Sequence, residues 1–288
     1  MLDPMRSRAA RMSTSEITSF KVTHGGGCTF EFYALRYCLR ARSAIALPAG
    51  ESANVLRGAF GKFLHREDRA AYERYFAPSS IQGPSGLRDS PRPFVLRARH
   101  LDGARLREGE EFEVGINLFQ MSDPPLELFR RAAGGMLPAD LFRVDGEVPL
   151  ALSLAPAASG PARVRVRFLT PTELKGADRP DFAVLFARIR DRVSALRALY
   201  GAGPLEIDFR GMGERARSIK TTRCELEWLD AERKSRSTGQ SHPLSGFIGV
   251  VEYQGDLAEF LPYLEAGRYT GVGRQTVWGK GEIATEIL

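Results

Sequence analysis

Twice along this chain an alternating run of residues feeds a helical stripe, and that repeated order constrains the fold more than any bulk property does. Residues 30–47 alternate, with Tyr33, Leu35, Tyr37, Leu39 and Ala41 on one face and Arg36, Cys38, Arg40 and Arg42 on the other, which predicts a long strand. PAGESANVLRGAFGKFLHRED follows. Its Pro and Gly end the strand, Ser52 stands as an N-cap, and Val55, Leu56, Ala59, Phe60, Phe63 and Leu64 form one apolar stripe at helical spacing. Residues 94–101 and 111–120 read as a hairpin pair, residues 125–136 as a helix closed by Gly134 and Gly135, and LFRVDGEVPLALSL as the last strand of the series.

A softer stretch, APAASGPA at 155–162, reads as a linker, and after it the order begins again. ARVRVRFLT alternates Val164, Val166 and Phe168 against Arg163, Arg165 and Arg167. DFAVLFARIRDRVSALRALYG carries Phe182, Leu185, Phe186, Ile189, Val193, Leu196 and Leu199 on one helical face. Residues 223–233 and 246–255 read as strands, DLAEFLPYLEAG as a short helix and TVWGKGEIATEI as a returning strand. Two β-α-β-β-α-β orders in succession predict an α+β chain of two tandem ferredoxin-like (RRM-like) domains. The expected division is a flexible N-terminus over 1–17, an N-terminal domain over 18–154 and a C-terminal domain over 163–288.

Lys and Arg number 41 against 35 acids in the 288 residues, a net charge of +6 that favours a polyanionic partner without requiring one. Arginine supplies most of the cations; its planar fork suits phosphate and stacking, and a GC-rich genome yields the same bias. Cys28, Cys38 and Cys224 are odd in number and scattered, with no Cys/His cluster of metal-ligand spacing, so no metal and no cofactor is expected. A cytoplasmic location fits these thiols. The first 16 residues lack the apolar centre of a signal peptide, and nowhere does an apolar run reach membrane-spanning length, so no membrane partner is expected.

One segment does not fit an ordinary domain ending. YTGVGRQTVWGKGEI, residues 269–283, packs four glycines and two cations next to the C-terminus. A phosphate-binding P-loop is excluded by spacing, because five residues separate Gly273 from Gly279 and Lys280 is followed by Gly281 in place of Ser or Thr. A dinucleotide fingerprint fails because Thr276 stands where the third glycine belongs. A tight turn with glycine at a helix C-cap accounts for Gly267 and Gly271 but leaves Gly273, Arg274, Gly279 and Lys280 unexplained. The expectation is that these glycines leave backbone open to a ligand lying across the junction of the two sheets.

The segments GVGRQTVWGKGEI (271–283) and SGFIGVVEYQGDLAEFLPYLEAGRYT (245–270) closely resemble the C-terminal domain of the CRISPR-associated precursor-RNA processing endoribonucleases of the RAMP superfamily. VLRGAFGKFL (55–64), SGLRDSPRPFVL (85–96) and RVRFLTPTELK (165–175) are similar to other parts of that family. The resemblance implies a pair of ferredoxin-like domains, CRISPR repeat RNA as substrate and partner, subunits of a CRISPR effector complex as further partners, and cleavage without metal. In that chemistry the 2′-hydroxyl attacks the adjacent phosphate, leaving a 2′,3′-cyclic phosphate and a 5′-hydroxyl. A non-catalytic RNA-binding subunit of the same superfamily is the rival expectation. A cyclic phosphodiesterase is disfavoured, since none of His24, His65, His100 and His242 has Ser or Thr two positions on.

Histidine titrates near neutral pH and suits proton transfer at a ribose hydroxyl. His65 is the expected catalytic residue because it ends the first helix, where the resembled family often carries its histidine, with Lys62 one turn earlier on the same face and Tyr75 as an assisting hydroxyl. Gly58 and Gly61 share that side. His24, His100 and His242 read as surface or strand-edge residues. The expected RNA contacts are Gly271, Gly273, Arg274, Gly279, Lys280 and Gly281 in the terminal loop, with Arg36 and Arg40 on the first strand and Arg163 and Arg165 on the later one. Arginines on such a face are equally a solvated row paired with acids.

Overall fold

The computed structural model describes residues 28–77, 90–157, 160–174, 179–229 and 245–288, and the backbone of 232–234 and 241–243. Residues 1–17, His24 and positions 158–159 of the linker lie outside the described residues. The first half runs β1 (Thr29–Ala41), β2 (Ile45–Ala46), α1 (Ser52–Glu67), α2 (Arg69–Tyr75), β3 (Phe94–Arg97), β4 (Arg105–Leu106), β5 (Glu111–Leu118), α3 (Leu126–Gly135), β6 (Ala139–Asp145) and β7 (Leu150–Ser153). The second runs β8 (Arg163–Thr172), α4 (Phe182–Tyr200), α5 (Phe209–Ala216), β9 (Lys220–Leu229), β10 (Glu232–Lys234), β11 (Ser241–Pro243), β12 (Gly246–Gln254), α6 (Leu261–Thr270) and β13 (Ile283–Ile287).

The sheets have spatial orders β3-β5-β1-β6 and β13-β8-β12-β9, every pairing antiparallel. Counting the principal strands of each half, both orders are that of a ferredoxin-like β-α-β-β-α-β unit, so the tandem architecture expected from the alternation is the one observed. Among the described residues no helix is long and apolar enough to cross a membrane.

Several boundaries differ from expectation for local reasons. β1 stops at Ala41, and only Ile45–Ala46 resumes as a strand, paired with Arg105–Leu106. The closing strand of the first half is cut in two, with β6 on residues 36–41 of β1 and β7 on residues 29–32. Gly146 makes the break at φ +84°, with its α-carbon facing the Ala34 carbonyl where a side chain would not fit. Ser52 is inside α1, not its cap; its N–H is accepted by the Asp102 carboxylate at 3.0 Å, from a turn fifty residues downstream. The segment read as a strand over 276–287 begins as a 3-10 turn, Thr276–Trp278, and is extended only from Ile283.

The largest difference lies in how the domains meet. On β1 the odd residues Tyr33, Leu35, Tyr37 and Leu39 face α1 and α3 in the core of the first domain. The even face is not uniformly charged, because its first members, Phe30 and Phe32, join Phe119 and Val95 in the core built around α4 and α6 of the second domain. The ring of Phe32 lies 4.5 Å from that of Tyr269. One sheet therefore packs on the partner domain's helices, and the domains do not meet sheet to sheet.

Polar groups of this seam converge on the carboxyl end of α6. Arg97 of β3 donates to the carbonyls of Arg268 and Tyr269, both at 2.9 Å, and Asn117 of β5 donates to Tyr269 at 2.9 Å. Arg192 of α4 donates to Thr270 at 3.0 Å. Replacing Arg97 with Met keeps the stem and removes the charge-assisted bonds to two of these carbonyls, so unfolding free energy should fall by about 2 kcal/mol. Equilibrium urea denaturation checks this, and an unchanged midpoint would show that the seam does not depend on the cap.

Candidate RNA interface and catalytic centre

α6 ends at Thr270, and the glycine-rich segment begins at once with Gly271 at φ +70°. It is a self-bonded loop. The Val272 N–H meets the Gly281 carbonyl at 2.9 Å, the Arg274 N–H meets the Glu173 carbonyl at 3.1 Å, and the Gly281 N–H meets the Pro171 carbonyl at 3.1 Å. Gly271 and Gly281 are buried, Gly273 and Gly279 half-buried. A β-carbon at Gly281 would strike the Val272 carbonyl, and one at Gly279 would strike the β-carbon of Ala53 in the first turn of α1.

This corrects the expectation that the glycines leave bare backbone for a ligand. At Gly271, Gly273, Gly279 and Gly281 the close neighbour is the protein itself, and glycine is required because the loop folds tightly on itself and docks on the other domain's helix. Trp278 completes the dock: the Arg57 guanidinium of α1 lies 5.6 Å from the Trp278 ring and 5.1 Å from the Phe76 ring. The loop thus rests against the start of the helix whose far end carries His65.

That far end is exposed. His65 lies in the last turn of α1, and its ring meets Tyr72 edge to face at 5.0 Å between centroids. Its Nε2 contacts the guanidinium of Arg69, the first residue of α2, and Arg69 Nε donates to Glu73 at 2.8 Å. Lys62 is exposed, and among the described residues no carboxylate pairs with it. Gly58, two turns before His65, is exposed with nothing near the position of a β-carbon, whereas Gly61 lies against the Phe76 ring. Of the two glycines on this helix, one makes room for α2 and the other leaves the surface bare.

The remaining expected residues separate into distinct environments. Tyr75 is not an available hydroxyl: it is 3% exposed, its ring packs edge-on against Phe129, and burial raises its pKa. Lys280 is 4% exposed; its Nζ donates to the Ser245 carbonyl at 2.7 Å and to Gln275 at 3.0 Å, and desolvation lowers its pKa, so its charge is spent on closing the loop. Arg274 is exposed and paired with Glu173 at 2.7 Å. Arg36 pairs with Glu113 at 3.5 Å and Arg40 with Glu111 at 2.7 Å. Arg163 and Arg165 both hold Glu252 at 2.8 Å, and Arg165 also holds Glu286 at 2.8 Å. The arginine faces of both sheets are therefore paired rows. Among the described residues no group of His, Cys, Asp and Glu is arranged to hold a metal ion.

Arg69 and Arg57 are the residues that sequence reasoning passed over. The signal for the first was Asp68, which accepts from the Ala71 N–H at 2.9 Å and so caps a second helix directly after the first.

Two ferredoxin-like domains, with a C-terminal glycine loop of the second seated on the first domain's helix, define the class of protein. A family model described as "CRISPR-associated endoribonuclease Cas6" matches residues 166–283, and one described as an N-terminal domain matches residues 30–150. Thermus thermophilus Cas6 has the same fold with a TM-score of 0.55 at 19% identity, covering 91% of this chain and 100% of that one. A Cas6 product complex gives 0.57 at 19% identity, covering 89% of this chain and 99% of that one. A partial Cas6-RT-Cas1–Cas2 complex gives 0.59 at 13% identity, covering 89% of this chain and 46% of that one. No curated protein matches by sequence. The Cas6 family model thus matches the C-terminal half, and the solved Cas6 structures share the fold of the whole chain.

The loop and the paired rows each make a measurable difference to stability. Gly279→Ala forces a side chain into φ +84° and into Ala53, and should destabilise the fold by at least about 1–2 kcal/mol, whereas Gly58→Ala in open helix should stabilise it by about 1 kcal/mol. Chemical denaturation of both variants reads the opposite signs. The Glu252 carboxyl, held mainly by Arg165 and then Arg163, has a folded pKa below the ordinary 4.5; its contribution is complete above 4.5 and is lost as pH falls through the lower folded value. Glu252→Gln should lower stability at neutral pH and flatten the loss below pH 4.5, measured by urea denaturation across the acid range.

Proposed function

We propose that this chain is a metal-independent endoribonuclease that cuts CRISPR repeat RNA. The observation that supports it most is an exposed imidazole, His65, on the same side of α1 as the exposed Lys62, which no carboxylate among the described residues pairs with, and Gly58. That strip is long enough to follow more than one phosphate: His65 lies seven positions after Gly58, a rise of roughly 10 Å. The loop seated on the first turn of α1 fixes its position from the other domain.

In this reading His65 takes the proton of the 2′-hydroxyl as its oxygen attacks the neighbouring phosphorus. The P–O5′ bond breaks, the 2′,3′-cyclic phosphate forms, water protonates the departing 5′-oxygen, and the imidazolium returns its proton to solvent. Lys62 supplies positive charge beside the phosphate as charge gathers on its oxygens. Arg274 is retained as an RNA contact because its ion pair is solvent-exposed, worth little, and exchangeable for a phosphate. Arg36, Arg40, Arg163 and Arg165 would have to exchange a carboxylate in the same way.

Incubating the full chain with repeat RNA from its own array in EDTA should give one defined cut with a cyclic phosphate end. His65→Ala should slow that cut about a hundredfold while sparing RNA affinity. Tight binding with no cut would instead assign the chain as a non-catalytic RNA-binding subunit. An unaltered rate in His65→Ala would remove His65 from the mechanism.

A further inference from the structure

At the corner between α1 and α2, four side chains form a closed group. Asp68 ends α1 and caps α2, whose Arg69 and Tyr72 contact His65 and whose Glu73 contacts Arg69. The Arg69 guanidinium contacts His65 Nε2 with one nitrogen and holds Glu73 with another, at 2.8 Å, while lying 5.9 Å from the centre of the Tyr72 ring. A guanidinium only donates, and it has five N–H groups. A hydrogen bond from that guanidinium can be accepted only by the His65 tautomer that carries its proton on Nδ1 and leaves the Nε2 lone pair free. Glu73 anchors the guanidinium from its other side. The other charged residues of α1, α2 and the break near this corner are Lys62, the Arg66–Glu67 pair at 2.6 Å, Asp68 and Arg74.

Resting on the nuclease reading above, we propose that Arg69 is a second catalytic residue, which holds the His65 lone pair while the site is empty and exchanges it for a phosphate oxygen when RNA binds. Arg69 is exposed and its pair with Glu73 lies in solvent, so an incoming phosphodiester can compete for its free donors. The exchange does two things at once. It places a cation on the phosphate under attack, and it uncovers Nε2 as the acceptor for the 2′-hydroxyl proton.

The test uses the full chain, its repeat RNA and three variants. Arg69→Ala should lower the single-turnover cleavage rate about a hundredfold with RNA affinity changed no more than a few-fold; Arg69→Lys should recover part of the rate, and Glu73→Gln should lose less than Arg69→Ala. NMR of labelled imidazole nitrogens should show Nε2 of His65 unprotonated in the free protein and a shift toward the Nε2–H tautomer in Arg69→Ala. Arg69→Ala cutting at the parent rate, rate and affinity falling together, or Nε2 protonated in the free parent at neutral pH would each overturn the inference. If the parent cuts and Arg69→Ala cuts as fast, the inference alone falls; if the parent does not cut its repeat RNA, the nuclease reading falls and takes the inference with it.

Discussion

The carboxyl end of α6 is held by side chains from three other elements. A helix leaves its last carbonyls unsatisfied and the negative end of its dipole exposed. Here the carbonyls of Arg268, Tyr269 and Thr270 are met by Arg97, Asn117 and Arg192, two cations and an amide. Enclosing two guanidinium groups is costly, and desolvation lowers the pKa of both, that of Arg192 to about 10. Glu282 is the nearest carboxylate to Arg97 at 3.9 Å, too long for a direct hydrogen bond. The geometry therefore leaves the helix carbonyls as the main compensation, and it does so only if the domains are seated in one arrangement. Apolar packing of Phe32 on Tyr269 drives the association; the capped carbonyls fix its register.

The glycine loop inherits its position from that register. Gly271 follows directly after the capped residues, Gly281 turns back on Val272, and Gly279 fits against Ala53 only because no side chain intervenes. Positive φ values at these glycines show why the sequence concentrates them there. Their number and place are legible in the sequence; their purpose is not. A run of glycines tells that side chains are absent, and cannot tell whether the space is needed by a ligand or by the chain's own backbone.

The same asymmetry runs through the rest of the molecule. Alternation and helical stripes located the principal strands and helices of both domains, since burial on one face imposes those periods. Alternation also assigned Arg36 and Arg40 to the even face of β1, yet said nothing of what covers that face, and so missed that Phe30 and Phe32 on it belong to the other domain's core. Arginine count suggested a positive surface, whereas the fold sets carboxylates opposite the arginines: Glu252 on β12 is reached by Arg163, Arg165 and Arg223. Charge spacing along one strand is legible. The charge on its neighbour is set by register, which the sequence of one strand does not contain.

His65 was legible because a helix of known start places its last turn, and its surroundings were hidden because they depend on one broken residue. Had α1 continued through Asp68, Arg69 and Tyr72 would still have stood near His65, four and seven residues on. Glu73 holds the same guanidinium from i+4 within α2, the helix that starts at the Asp68 break, φ −152°. The break also lets Phe76 turn back onto Gly61, so that Arg57 sits between Phe76 and Trp278 of the glycine loop. One end of the helical corner is thereby packed against the second domain, and the other end presents an imidazole to solvent. The loop meets α1 through this aromatic–guanidinium stack, at the end of the helix opposite His65.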